Sequence, residues 1–239
     1  MSKKNILLIV AATLAVTLVS SLITRVRVVA AQSSTFSIKF VEKGGTLNRE
    51  TLYARRLDGS TVESLVTTAP DGKEYEQRTV IDTARGAKVV IDGITESITT
   101  YPLSQKSVAD YKKPSLNCVP EESNPSESTL LGYKVVRRSH QLPSPQYRRG
   151  ETWLAPDLGC IIVRSLTFGQ DGKGKEIQLW SKEAVSITKN NPDSTLFVIP
   201  NWPERSPSEV RTIYGKRFGV LEPVDPRFDQ AYLSAQQRR

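Results

Sequence analysis

The chain of 239 residues is poor in the side chains that carry most chemistry. It has one histidine, one methionine, two cysteines and three tryptophans. A single histidine, His140, excludes a metal site built on histidines. A serine nucleophile would need that same residue as its base, and no Gly-x-Ser-x-Gly elbow exists to present one. The cysteines, Cys118 and Cys160, are far apart. That spacing fits neither a CxxC redox motif nor a four-thiolate zinc site. Helical periodicity is nearly absent beyond the N-terminal segment, and there is no internal repeat or heptad run.

One long apolar run is present. Lys3 and Lys4 precede Ile6–Ile23, which only Thr and Ser interrupt, and Val28-Val29-Ala30-Ala31 follows. A short cationic start, an apolar stretch and a small-residue exit describe a secretory signal. The run also approaches the ~20 residues that cross a bilayer, so an uncleaved single-span anchor is the alternative. No cysteine lies near the exit, which excludes lipidation of a mature N-terminus. Either way the remainder is expected outside the cytoplasm, in the periplasm or cell envelope, with membrane contact only through an uncleaved segment. The expected divisions are 1–31 for the signal or anchor, 32–202 for a globular domain and 203–239 for a polar tail.

The formal charge of +8 falls to +4 once Lys3, Lys4, Arg25 and Arg27 are set aside. The pairs Arg55-Arg56, Arg137-Arg138 and Arg148-Arg149 are dispersed, without interleaved aromatics in one segment. Such a chain is not a nucleic-acid binder. In an oxidising compartment an even cysteine count points to a Cys118–Cys160 disulfide.

The region after residue 31 reads as strand after strand. In Thr35–Phe40 the residues Phe36, Ile38 and Phe40 share one face. Leu52–Arg56 and Thr61–Thr67 flank a Leu57-Asp58-Gly59-Ser60 turn. Arg78–Asp82, Lys88–Asp92 and Ile94–Tyr101 follow as a meander. Residues 102–128 form a proline-rich irregular crossing, with one helical turn near Ser107–Tyr111. Strands resume at Leu131–His140, Glu151–Ala155, Cys160–Phe168 and Glu176–Thr188, then a short one at Leu196–Ile199. A short helix is expected within Pro226–Gln237. About ten antiparallel strands imply a mainly β (α+β) fold with a strongly curved sheet or half-barrel, whose concave face a loop, helix or ligand must cover.

Two loops mimic ligand motifs. Gly169–Lys175 meets the Gly-x4-Gly-Lys spacing of a phosphate loop, but Glu176 replaces the hydroxyl residue and a strand replaces the helix. Its acids also lack calcium-loop alternation. No cofactor is expected. Phe36, Ile38, Phe40, Trp153 and Trp180 are either core or the lining of an apolar ligand pocket.

Three segments are similar to those of exported proteins of the LolA-like half-barrel superfamily. Trp153–Gly159 resembles their W-x-A/D-P-x-x-G turn, and Pro192–Pro200 their pD-x-x-l-F-x-x-P ending. Val90–Ile94 followed by Tyr101-Pro102 resembles their D-G-x hairpin before Y-x-P. The resemblance spans roughly residues 35–202. It implies a curved antiparallel sheet with a covered apolar concave side, in a superfamily that includes periplasmic carriers of lipoprotein acyl chains. It expects a non-enzymatic envelope protein that binds a lipid or a lipidated chain. The alternative is an anchored interaction or signalling module with an envelope protein partner, related to anti-sigma-factor regulators. A hydrolase whose carboxylates meet only in the fold is a third reading.

Overall fold

The computed structural model describes residues 35–45, 47–113, 118, 126–142 and 147–219. The expectations for the signal segment and for a helix within Pro226–Gln237 lie outside these residues. Eleven strands form one antiparallel sheet: β1 Phe36–Gly44, β2 Leu47–Arg55, β3 Thr61–Thr68, β4 Glu74–Asp82, β5 Ala87–Asp92, β6 Ser97–Pro102, β7 Ser126–Leu130, β8 Tyr133–Gln141, β9 Arg149–Ala155, β10 Ile161–Gln170 and β11 Glu176–Thr188. Their order is β6-β5-β4-β3-β2-β1-β11-β10-β9-β8-β7. Strands β6 and β7 are the two ends, so the sheet is open and not a barrel. Each half is a meander, and β1 pairs with β11 to join them.

The sheet is strongly curved: Lys182 on β11 forms an ion pair with Glu63 on β3 across two intervening strands. Phe36 on β1 and Val135 on β8 belong to one buried cluster with Ile38, Phe40, Ala155, Leu158, Val163 and Ala184. Register shifts at Lys39/Phe40 and Ile162/Arg164 supply the bending. The alternation on β1 is as expected, with Phe36, Ile38 and Phe40 buried.

The concave face carries Phe36, Ile38 and Phe40 together with Tyr53 and Glu63, their register partners and neighbours on β2 and β3. Helix α1, Gln105–Lys112, covers one end of it. Ser104 caps α1, its side chain accepting from the Ser107 amide. Arg55 donates to the Tyr111 carbonyl at 2.5 Å. Gly59 (φ +88°) lies under the helix, where a Cβ would stand 2.7 Å from that same carbonyl. The convex face of β2–β5 buries Ala54, Val62, Val80, Val89 and Ile91 beneath Leu196, Phe197, Ile199 and Trp202.

Residues 194–197 form a 3-10 turn, not the expected strand at Leu196–Ile199. Asp193 accepts from the Thr195 amide and turns the chain, and Phe197 is thereby planted in the core. The chain then rounds β6. The Ile98 amide donates to Pro203 O (3.0 Å), and the Arg205 amide to Ile98 O (2.8 Å). Helix α2, Pro207–Phe218, follows, with a Ser206/Glu209 capping box, Pro at its start and Gly219 (φ 67°) at its end. Tyr214 accepts from Gln77 at 3.2 Å, and Arg217 donates to Ile94 O at 2.7 Å. Residues 203–218, a polar tail by sequence, therefore pack on the sheet.

Candidate functional site

A cavity of about 450 Å³ opens on the concave face. Phe40, Tyr53 and Trp180 from β1, β2 and β11 form its aromatic wall, and Cys160, just before β10, lines it with Ile161 and Ile162 from the start of that strand. Ser165, Glu63 and Lys182 supply the polar part. Its volume falls within the ~300–1,000 Å³ typical of small-molecule sites. Two other depressions are less suited to a ligand. One, on the opposite face around Lys39, Leu52 and Ser64, is only about 180 Å³. The other, about 530 Å³ between β2 and β3, is lined mostly by polar residues such as Asn48, Arg49, Thr67 and Glu74.

The rim at Cys160 follows from local sequence. Pro156–Leu158 closes a 3-10 turn after β9, and Gly159 (φ 75°) ends it in the left-handed region. Cys160 (φ 63°) continues the reversal before β10 begins. A disulfide joins Cys160 to Cys118, with Cα atoms 5.2 Å apart, and holds Cys118 at the cavity rim.

The polar end is an ion-pair network. Lys182 Nζ lies 3.0 Å from Glu42 Oε1 and 2.5 Å from Glu63 Oε1, and 5.0 Å from the centroid of the Phe40 ring. Glu42 also accepts from Arg49 Nε (3.0 Å), Arg49 Nη2 (2.9 Å) and Thr51 Oγ1 (3.0 Å). Burial alone would raise the Glu42 pKa. The bonds from Lys182 and Arg49 outweigh it and hold the carboxyl below its ordinary range. Glu63 is the exposed partner: its side chain is 44% accessible against 5% for Glu42. Burial pushes the Tyr53 phenol up to about 12, so it remains a neutral donor.

Of the aromatic residues singled out from sequence, Phe40 and Trp180 meet at this cavity. Phe36 and Ile38 are fully buried behind it in the core. Trp153 packs on that core and lies under Arg137 and Arg164, whose guanidinium carbons are 5.5 and 4.7 Å from its ring centroid. Arg137 and Arg149 both donate to the buried Glu151 beside it. Sequence reasoning misses Tyr53, Glu63, Ile161, Ile162 and Lys182. The pairings that bring them together are long-range, though period two on β2 does place Tyr53 in register with Ile38. His140 stands over Gly150, where a Cβ would lie 2.5 Å from its Nε2. Among the described residues no three His, Cys, Asp or Glu side chains group as metal ligands. Nor is any described helix long and apolar enough to cross a membrane.

No protein-family model and no curated protein matches the chain. Solved structures do. An uncharacterized conserved protein from Thermus thermophilus is 12% identical over 76% of this chain and 95% of its own, with a TM-score of 0.45. MucB in complex with MucA(peri) is 20% identical over 73% of this chain and 58% of its own, with a TM-score of 0.34. The LolA superfamily protein NE2245 from Nitrosomonas europaea is 6% identical over 73% of this chain and 97% of its own, with a TM-score of 0.30. These likenesses transfer no residue role.

Proposed function

We propose that this protein is a non-enzymatic component of the cell envelope that holds an apolar ligand, such as a lipid or a lipidated chain, on its concave face. The observation that supports this best is the cavity walled by Phe40, Tyr53, Ile161, Ile162 and Trp180. Burying an acyl chain there would gain roughly 25 cal/mol per Å² of apolar surface removed from water. Affinity from that source needs no catalytic group. The apolar N-terminal segment Ile6–Ile23 supports export to the periplasm or envelope.

The test is mass spectrometry of the protein purified from its native envelope, first native and then denatured. A lipid mass present in the first spectrum and lost in the second supports the reading. A bare mass in both, together with no binding of a fluorescent fatty acid, overturns it. The denatured mass also reports whether the N-terminal segment has been removed.

A second reading, an anchored envelope module that binds a protein partner, is favoured by one surface. Trp153 and Phe168 lie beneath Arg137, Arg164 and Arg149 on β8–β10. Aromatic and arginine side chains are the types enriched at interface hot spots. Retention of residues 1–31 in the mature mass would add weight to it.

A further inference from the structure

We infer that the ligand of the concave cavity is a single-chain amphiphile with a carboxylate head, and that Glu63 is an internal stand-in for that head. The inference rests on the apolar-ligand reading above and adds the chemistry of the polar end.

Lys182 is the only cation lining the cavity among the described residues. Its two partners are not equivalent. Glu42 is buried and held by Arg49 and Thr51 as well, so it is fixed whether or not Lys182 stays. Glu63 reaches in from β3 with a half-exposed side chain and pairs with Lys182. Its carboxylate can swing to water, because the Glu63 side chain is 44% accessible while that of Lys182 is 22% accessible. A ligand carboxylate entering along the aromatic wall would meet the Lys182 ammonium where Glu63 now sits. The exchange keeps the charge count at Lys182 constant, so no buried charge is left unpaired. A cationic head would instead compete with the tethered Lys182 ammonium, whose pairs with both Glu42 and Glu63 it would have to break. A neutral head would gain no ion pair. Charge complementarity at the cavity therefore selects an anion of carboxylate size.

The test uses calorimetric titration of the full chain, its E63Q variant and its K182Q variant with decanoate and with 1-decanol, below their micelle-forming and solubility limits. The expected result is that wild type binds decanoate about tenfold more tightly than decanol, the scale of one hydrogen bond to a charged group. E63Q should tighten decanoate several-fold and leave decanol unchanged. K182Q should equalise the two probes. Equal affinity for both probes in wild type, unmoved by E63Q, overturns the head-group inference and leaves the apolar-ligand reading standing. Binding of neither probe by wild type overturns both. E63Q changes a half-exposed side chain, so its result does not depend on whether K182Q folds.

Discussion

Lys182 on β11 and Glu63 on β3 form an ion pair although β1 and β2 lie between them. Three strand spacings in a flat sheet would hold them at least about 14 Å apart at the backbone. The contact thus depends on curvature, and the buried Glu42 on the intervening β1 anchors the same ammonium. The polar end of the cavity and the bend of the sheet are therefore one structural feature.

Replacing that anchor should be costly. Glu42→Gln removes the buried negative charge that Lys182 and Arg49 share and puts an amide NH2 beside them, and a loss of about 3 kcal/mol is expected. The pH dependence has a definite sign. The folded carboxyl titrates below its unfolded value of about 4.3. Its contribution is fully present above that value and is lost as pH falls through the folded value. Urea midpoints of wild type and variant, measured from pH 6 to pH 3, should differ most at pH 6 and converge on acidification.

The Cys118–Cys160 bond closes a loop with a sequence separation of 42. In the chain-entropy model such a loop contributes about 4 kcal/mol. Dithiothreitol should lower the melting temperature of wild type and leave that of C118S/C160S, already lower, unchanged. Calorimetry with and without reductant checks both points.

Gly59 combines a positive φ with contact beneath α1. Gly59→Ala adds a methyl into the Tyr111 backbone in a conformation that L-residues avoid, and should cost about 1–3 kcal/mol. Gly72→Ala is a fitting control: it shares the positive φ, but nothing lies within 4 Å of the added carbon. Its cost should be about 1 kcal/mol. Denaturant midpoints of the two variants separate the steric contribution from the conformational one.

Ending the chain at Trp202 removes the bonds that Pro203 and Arg205 make with Ile98, and the one from Thr99 Oγ1 to Arg205 O at 2.8 Å. The outer side of β6 is then bare. A lower melting temperature and concentration-dependent light scattering are expected. The milder Ser206→Ala, which breaks only the α2 capping box, should cost about 1 kcal/mol without scattering.

Most strands are legible because alternation is a local signal. Phe36-x-Ile38-x-Phe40 and the Asp58-Gly59 and Asp92-Gly93 turns announce themselves within a few residues. Strand β7, Ser126–Leu130, hides in the irregular crossing, since Ser-Glu-Ser-Thr carries no apolar alternation and is ordered by pairing with β8. Helix α2 escapes notice because its low apolar content gives no stripe. Its capping box and N-terminal proline are the available signal. The cavity is only half legible. Phe40 and Trp180 can be named as aromatics of strands, but Glu63 and Lys182 look like ordinary solvent-facing charges until a bend brings β3 and β11 together.

The wrapping of residues 203–205 around β6 also sets a rule of symmetry. A filament grown strand upon strand needs two complementary ends, one on each copy, so that every addition regenerates the next acceptor. Here one end is already engaged at Ile98 by the chain's own residues 203–205. Pairing of copies through β7 alone then joins like to like about a two-fold axis, and it stops at two copies.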